Sequence, residues 1–177
     1  MGIGSLQDPT RVHKERVVTL HRYYPSSALA VAFLATAGLT GVAQAGQVPT
    51  VIQLTQTGCQ FLESEKGIDH GYKTSKKADC EAINSEHGEQ RLADSKTINV
   101  KAGKYIFRIT NKDVPYSLGF YLRGDGVINY ATLPRVSGGG LTTGKTQDYA
   151  IDLKPGSYVY SCPLNPTLDY RLEVSAG

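Results

Sequence analysis

Tryptophan is absent from this chain of 177 residues, methionine occurs once, as Met1, and cysteine only three times. Of the four histidines, His13 and His21 fall in the first 45 residues, which leaves His70 and His87 for the rest. Each scarcity removes a class of function. With no methionine beyond residue 1, the body of the chain has no thioether for a soft metal. Two histidines in one polar stretch are too few for an imidazole-rich metal centre. They also give no basis for assembling a Ser–His–Asp set, so nothing argues for a hydrolase or for an enzyme. Excess charge is scarce as well. The formal net charge is +3, and once the four basic and two acidic residues of 1–45 are set aside, 15 basic and 14 acidic side chains remain. Phosphate neutralisation needs a concentrated basic surface, so nucleic-acid binding is excluded.

Long apolar runs are limited to one, SALAVAFLATAGLTGVAQAG, which follows Arg16 and Arg22 and ends in Ala43-Gln44-Ala45. Small residues at 43 and 45 fit signal-peptidase cleavage after Ala45. An uncleaved anchor is the rival reading, but a stretch of about 18 residues dominated by Ala, Gly and Thr is marginal as a span. The expected organisation is therefore a signal peptide over 1–45, whose long n-region leaves room for a start downstream of Met1. One domain over 46–177 would follow, periplasmic or secreted, with no membrane span after cleavage. A hydrophobic content of 40% supplies one core.

What is present is short-period alternation. TVIQLTQT places Ile52 and Leu54 on one face, and TINVKAGKYIFRITNKD reads as strand, turn and strand with Tyr105, Phe107 and Ile109 in phase. Tyr116, Leu118, Phe120 and Leu122 share a face, as do Tyr170, Leu172 and Val174. QDYAIDL and GSYVYSC read as a hairpin around Lys154-Pro155-Gly156, and VSGGGLTTGKT as a glycine-rich loop. That loop lacks the Lys-Ser/Thr and following helix of a phosphate-binding site. Residues 59–95 break the alternation: they are polar, and KKADCEAINSEHGEQRLA could form a short helix with Ala78, Ala82 and Ile83 on its apolar side. The expectation is an all-β sandwich with a polar, part-helical insertion over one end.

KAGKYIFRITN (Lys101–Asn111), LKPGSYVYSCP (Leu153–Pro163) and a terminal strand together resemble the cupredoxin family over Thr97–Val174. The resemblance implies a Greek-key β-sandwich with a copper site at one end, built from one His after the KAGKYIFRITN-like strand and Cys, His and Met in the last loop. Here Tyr116 stands at about the first position, and Asn165 and Leu168 follow Cys162 where His and Met are expected. Conventional blue-copper chemistry is thereby disfavoured. The chain also resembles the cupredoxin-like domain of periplasmic iron-uptake proteins, which lacks both histidines and carries a cysteine after the first strand, here Cys59, and another opening the last loop, here Cys162. That resemblance implies metal handling through cysteine, or a disulfide. Cys80 and the insertion depart from it, as does the lack of a large C-terminal domain.

Three cysteines in an exported chain allow one intramolecular bridge and one leftover thiol. A Cys59–Cys162 bridge would close about 104 residues, worth about 5 kcal/mol, and a Cys59–Cys80 bridge about 22, worth roughly 3 kcal/mol. The first leaves Cys80 over and the second leaves Cys162 free. A thiolate site of Cys59, Cys162 and Cys80, with His70 or His87 assisting, would suit Cu(I) before harder cations such as iron. The plainer readings are exposed loop histidines, tyrosines 116, 158 and 160 as sandwich packing, and Asn165 bonding backbone groups to fix the last loop. The functional expectation is an exported protein handling copper, less readily iron, through Cys162 and Cys59. The alternative is a metal-free, disulfide-stabilised module recognising another exported protein. An atypical copper electron carrier is third.

Overall fold

The computed structural model describes residues 48–177; the expected signal segment and its cleavage point at Ala45 lie outside the described residues. Eleven elements follow in order: β1 (Thr50–Thr57), β2 (Gln60–Phe61), α1 (Lys77–Asp94), β3 (Ile98–Lys101), β4 (Gly103–Asn111), β5 (Leu118–Gly124), α2 (Gly126–Thr132), β6 (Val136–Leu141), β7 (Thr146–Leu153), β8 (Gly156–Ser161) and β9 (Tyr170–Ser175). They form a four-stranded sheet, β2-β1-β4-β7, and a five-stranded sheet, β3-β9-β8-β5-β6. The expected all-β sandwich is present. After α1 the chain changes sheets between β3 and β4, β4 and β5, β6 and β7, and β7 and β8, a Greek-key path.

The alternation read from the sequence maps directly onto the interface of the two sheets. β1 runs parallel to β4 with Ile52 opposite Phe107 and Leu54 opposite Ile109, which puts those side chains in one inward row. All three phenylalanines of the described chain meet there. Phe107 stacks on Phe120 at 5.4 Å, and Phe61 approaches Phe120, Tyr160 and Tyr170 edge-on at 5.6–6.1 Å. The tyrosines keep their hydroxyls bonded while burying their rings. Tyr158 donates to the Lys154 carbonyl, and Tyr160 shares a bond with Ser64 Oγ. These are packing roles.

Two expectations are corrected. QDYAIDL and GSYVYSC become β7 and β8, which lie in different sheets, so Lys154-Pro155-Gly156 is a corner between sheets and not a hairpin turn. Gly156 has φ +147°, and a Cβ there would meet Leu133 Cδ1 at 2.7 Å, which is why the corner holds glycine. The run VSGGGL is strand β6, paired to β5, and not a loop. A Cβ on Gly119 of β5 would lie 2.5 Å from the Gly138 carbonyl oxygen, so the two strands approach closely through glycine. Helix α2, on the connection from β5 to β6, had no counterpart in the expected elements.

The 59–95 stretch is more ordered than its polarity suggests. Gly58-Cys59 make a tight β1–β2 turn with Thr57 opposite Gln60 and Cys59 at φ 62°. α1 is 18 residues long. It opens where the Asp79 carboxylate accepts the backbone N–H groups of Ser75 and Lys76. Its inward face is corrected too. Ala78 and Ala82 are exposed, and the buried residues are Cys80, Gly88 and Arg91, with half-buried Asn84 between them in the same 3.6-residue phase. A helix with a cysteine, a glycine and an arginine on its inner face carries almost no apolar signal.

Candidate functional site

Three segments converge at one end of the sandwich: the β1–β2 turn, the β4–β5 loop carrying Tyr116, and the β8–β9 loop running from Cys162 to Asp169. Asn165 sits at their centre, fully buried. Its Nδ2 donates to the Thr57 carbonyl at 2.9 Å, and its Oδ1 accepts the Cys59 N–H at 3.2 Å and the Tyr116 hydroxyl at 3.0 Å. Asn165 does bond backbone groups, but those of the β1–β2 turn, more than 100 residues away in sequence.

Cys59 is bridged to Cys80, with Cα atoms 5.1 Å apart. Neither sulfur is therefore a free thiolate, and Cys59 does not pair with Cys162. Cys80 Sγ lies 3.1 Å from Asn165 Oδ1. A disulfide sulfur has no proton to donate, so this is a packing contact. The bridge ties α1 to the β1–β2 turn, and Asn84 Nδ2 donates to the Pro166 carbonyl at 2.6 Å, tying α1 to the last loop as well. Leu168 packs beneath the helix, where a Cβ on Gly88 would come within 3.1 Å of it.

Cys162 is a free thiol with no exposed surface, and it belongs to the hydrophobic core. Its N–H donates to Thr167 Oγ1 at 2.9 Å, and its Sγ accepts the Gly119 N–H at 3.3 Å. Burial pushes the thiol up from its ordinary value, against the pull of that N–H, so the group is neutral at neutral pH. The donor set does not fit copper. The positions that would supply imidazole and thioether hold a phenol, a carboxamide and an alkyl chain. Tyr116 and Asn165 are bonded to each other, and Cys162 is left as the lone soft donor. Among the described residues no three His, Cys, Asp or Glu side chains converge into a metal-holding group.

A second cluster went unforeseen. Arg91 of α1 donates from Nε to Glu65 Oε2 at 3.1 Å and from Nη2 to Oε1 at 2.6 Å, both residues being buried. The Tyr170 hydroxyl also bonds Glu65 Oε1, and His70 Nε2 lies 2.6 Å from Oε2. Arg91 reaches on to the Cys59 carbonyl at 3.0 Å and Asn84 Oδ1 at 2.9 Å. Burial works to raise the Glu65 pKa, but Arg91, Tyr170 and His70 outweigh it and hold the carboxyl below its usual range. No local motif announces this pair. The one available signal was Arg91 falling in helical phase with Cys80.

His70 and His87 are in neither the Asn165 cluster nor any ligand set. They line one cleft of about 480 Å³ between α1 and the 65–72 segment, with Tyr72 and Ile68. His70 is exposed in a loop, as expected, while bonding Glu65 and stacking on Tyr72 at 5.4 Å; His87 is exposed too, but on helix α1 and not in a loop.

No family model and no curated protein matches the chain. Among solved structures, auracyanin B aligns at 10% identity and TM-score 0.45, over 73% of this chain and 92% of its own. Auracyanin A, a "blue" copper protein from the bacterium Chloroflexus aurantiacus, aligns at 16% identity and TM-score 0.41, over 72% and 100%. A multi-copper oxidase from Pediococcus acidilactici aligns at 12% identity and TM-score 0.37, over 85% of this chain and 31% of its own. These neighbours have cupredoxin-like folds; the reading of the site rests on its own side chains. Among the described residues no helix is long and apolar enough to cross a membrane.

Proposed function

We propose that this protein is an exported, metal-free, cupredoxin-like binding module whose metal end has been closed by side chains and whose partner is another exported protein. One observation carries the reading. Buried Asn165 bonds Tyr116, Cys59 and Thr57 at once, which fills the space among the ligand positions with saturated, non-ligating groups. The Cys59–Cys80 bridge supports it by pinning α1 over the same end, in keeping with an oxidising compartment. No catalytic role is proposed. The buried carboxylate, Glu65, is occupied by Arg91, Tyr170 and His70 and has no capacity left for a substrate proton.

Elemental analysis of protein purified from its own compartment, alongside thiol counting, tests this. The expected result is no stoichiometric copper or iron and one titratable thiol, reactive only after unfolding. Stoichiometric copper that is lost in Cys162→Ala would overturn the reading. It would restore metal handling, for which the Gly119 N–H aimed at the Cys162 sulfur is the supporting feature.

A further inference from the structure

A sandwich of two open sheets has four edges, and three of them are guarded. β2 is only two residues long, β3 is four residues long and ends in Lys101, and β7 carries Asp148 and Asp152. Short length and charge are the usual means of preventing an edge from accepting a foreign strand. β6 has neither. It is six residues, Val136–Leu141, without charge or proline, and it pairs on one side only, with β5.

The glycines of β6 are not all required by packing. Gly138 is, because a Cβ there would sit 2.9 Å from the Tyr149 ring. Gly139 is exposed, and an added Cβ would meet nothing closer than 3.7 Å. A strand glycine with room for a side chain marks a place where another backbone can approach. Beside it runs a groove of about 560 Å³ lined by Tyr121, Arg135, Ser137, Gly139, Pro163 and Leu164.

The groove and helix α2, which reaches it through the Tyr130–Tyr121 hydroxyl contact, have the composition of a recognition surface. Helix α2 buries none of its residues and exposes Val127 at 88% and Ile128 at 79%. Tyr130 of α2 lies under the Arg135 guanidinium at 5.2 Å, and Tyr121 under Arg123 at 4.8 Å. Tyrosine, arginine and clustered apolar side chains are enriched at contact sites. Arg123 is neutralised by Asp169 at 2.7 Å, whereas Arg135 has no carboxylate partner among the described residues.

Resting on the binding-module reading, we propose that β6 accepts an extended segment of an exported partner by strand addition. A carboxylate of that segment would lie on Arg135, and its apolar side chains against Tyr121, Tyr130 and Leu164. Main-chain bonds along the β6 edge supply affinity, and Arg135 with the tyrosines supplies selectivity.

The test is fluorescence anisotropy of the full chain with a labelled peptide alternating valine and glutamate, beside the same peptide N-methylated at every residue. Saturable binding of the first and none of the second is expected. Arg135→Glu should weaken binding about tenfold and recover it with a lysine-for-glutamate peptide. Gly139→Val should weaken binding too, with thermal melts verifying that both variants fold. Absence of binding, equal binding of the N-methylated peptide, or indifference to Arg135→Glu would each overturn the proposal. So would a dimer dispersed by Gly139→Val, which assigns the edge to a second copy. Failure here in a metal-free protein leaves the reading above intact, whereas stoichiometric copper removes that reading whatever the peptide does.

Discussion

The Tyr116 hydroxyl donates to Asn165 Oδ1 at 3.0 Å, so the two residues standing where imidazole ligands would be needed are bonded to each other. Removing Asn165 also strands the Cys59 N–H and the Thr57 carbonyl inside the protein. Asn165→Ala should cost about 3 kcal/mol, because several buried groups are left unpaired, and Tyr116→Phe only about 1 kcal/mol. Urea unfolding of both variants checks the order; equal costs would deny Asn165 its central position.

Glu65 and Arg91 form a buried pair, and removing one partner leaves the other charge without compensation. Glu65→Ala and Arg91→Ala should each destabilise by about 3–5 kcal/mol, with the double variant well short of the sum. A double-mutant cycle by denaturant titration provides the coupling directly; additive losses would show that the pair is not a unit.

The same pair sets an acid limit. Glu65 is held below its ordinary pKa in the fold, so its stabilisation is complete above the unfolded value of about 4.3 and is lost as pH falls through the folded value. Glu65→Gln should therefore flatten the decline of melting temperature below that pH. At the alkaline end burial holds Tyr149, Tyr158, Tyr160 and Tyr170 above their ordinary values. The unfolded chain ionises first, so stability should fall steeply above about pH 10. A melting series across both limbs tests the two together.

Reducing the Cys59–Cys80 bridge reopens a loop of about 22 residues, which costs about 3 kcal/mol in the chain-entropy model. The loss should concentrate in α1, seen as faster amide exchange over Lys77–Asp94, while β4 and β8 stay protected. Uniform loss of protection would mean that the helix and the sandwich unfold as one.

Gly119→Ala drives a Cβ to 2.5 Å from the Gly138 carbonyl, a clash with backbone that no rotamer relieves. It should destabilise by about 1–3 kcal/mol and separate β5 from β6. Gly139→Ala, which meets only ordinary contacts, should change stability little, and comparing their melting temperatures is the check.

Much of the sandwich was legible because alternation is local: Ile52, Leu54, Tyr105, Phe107 and Ile109 announce their inward face two residues at a time, whatever they pack against. The ligand deficit was legible too, since a missing histidine or methionine is a matter of counting. Sheet membership was not, because a corner at Lys154-Pro155-Gly156 and a hairpin look alike until the strands find their neighbours. Only the folded chain decided that Cys59 joins Cys80, that the glycine run is an edge strand, and that Arg91 meets Glu65. Those outcomes depend on contacts between segments tens of residues apart. The helix that makes several of them turns a cysteine, a glycine and an arginine inward, with only Leu92 packed against the core, leaving little hydrophobic period to read.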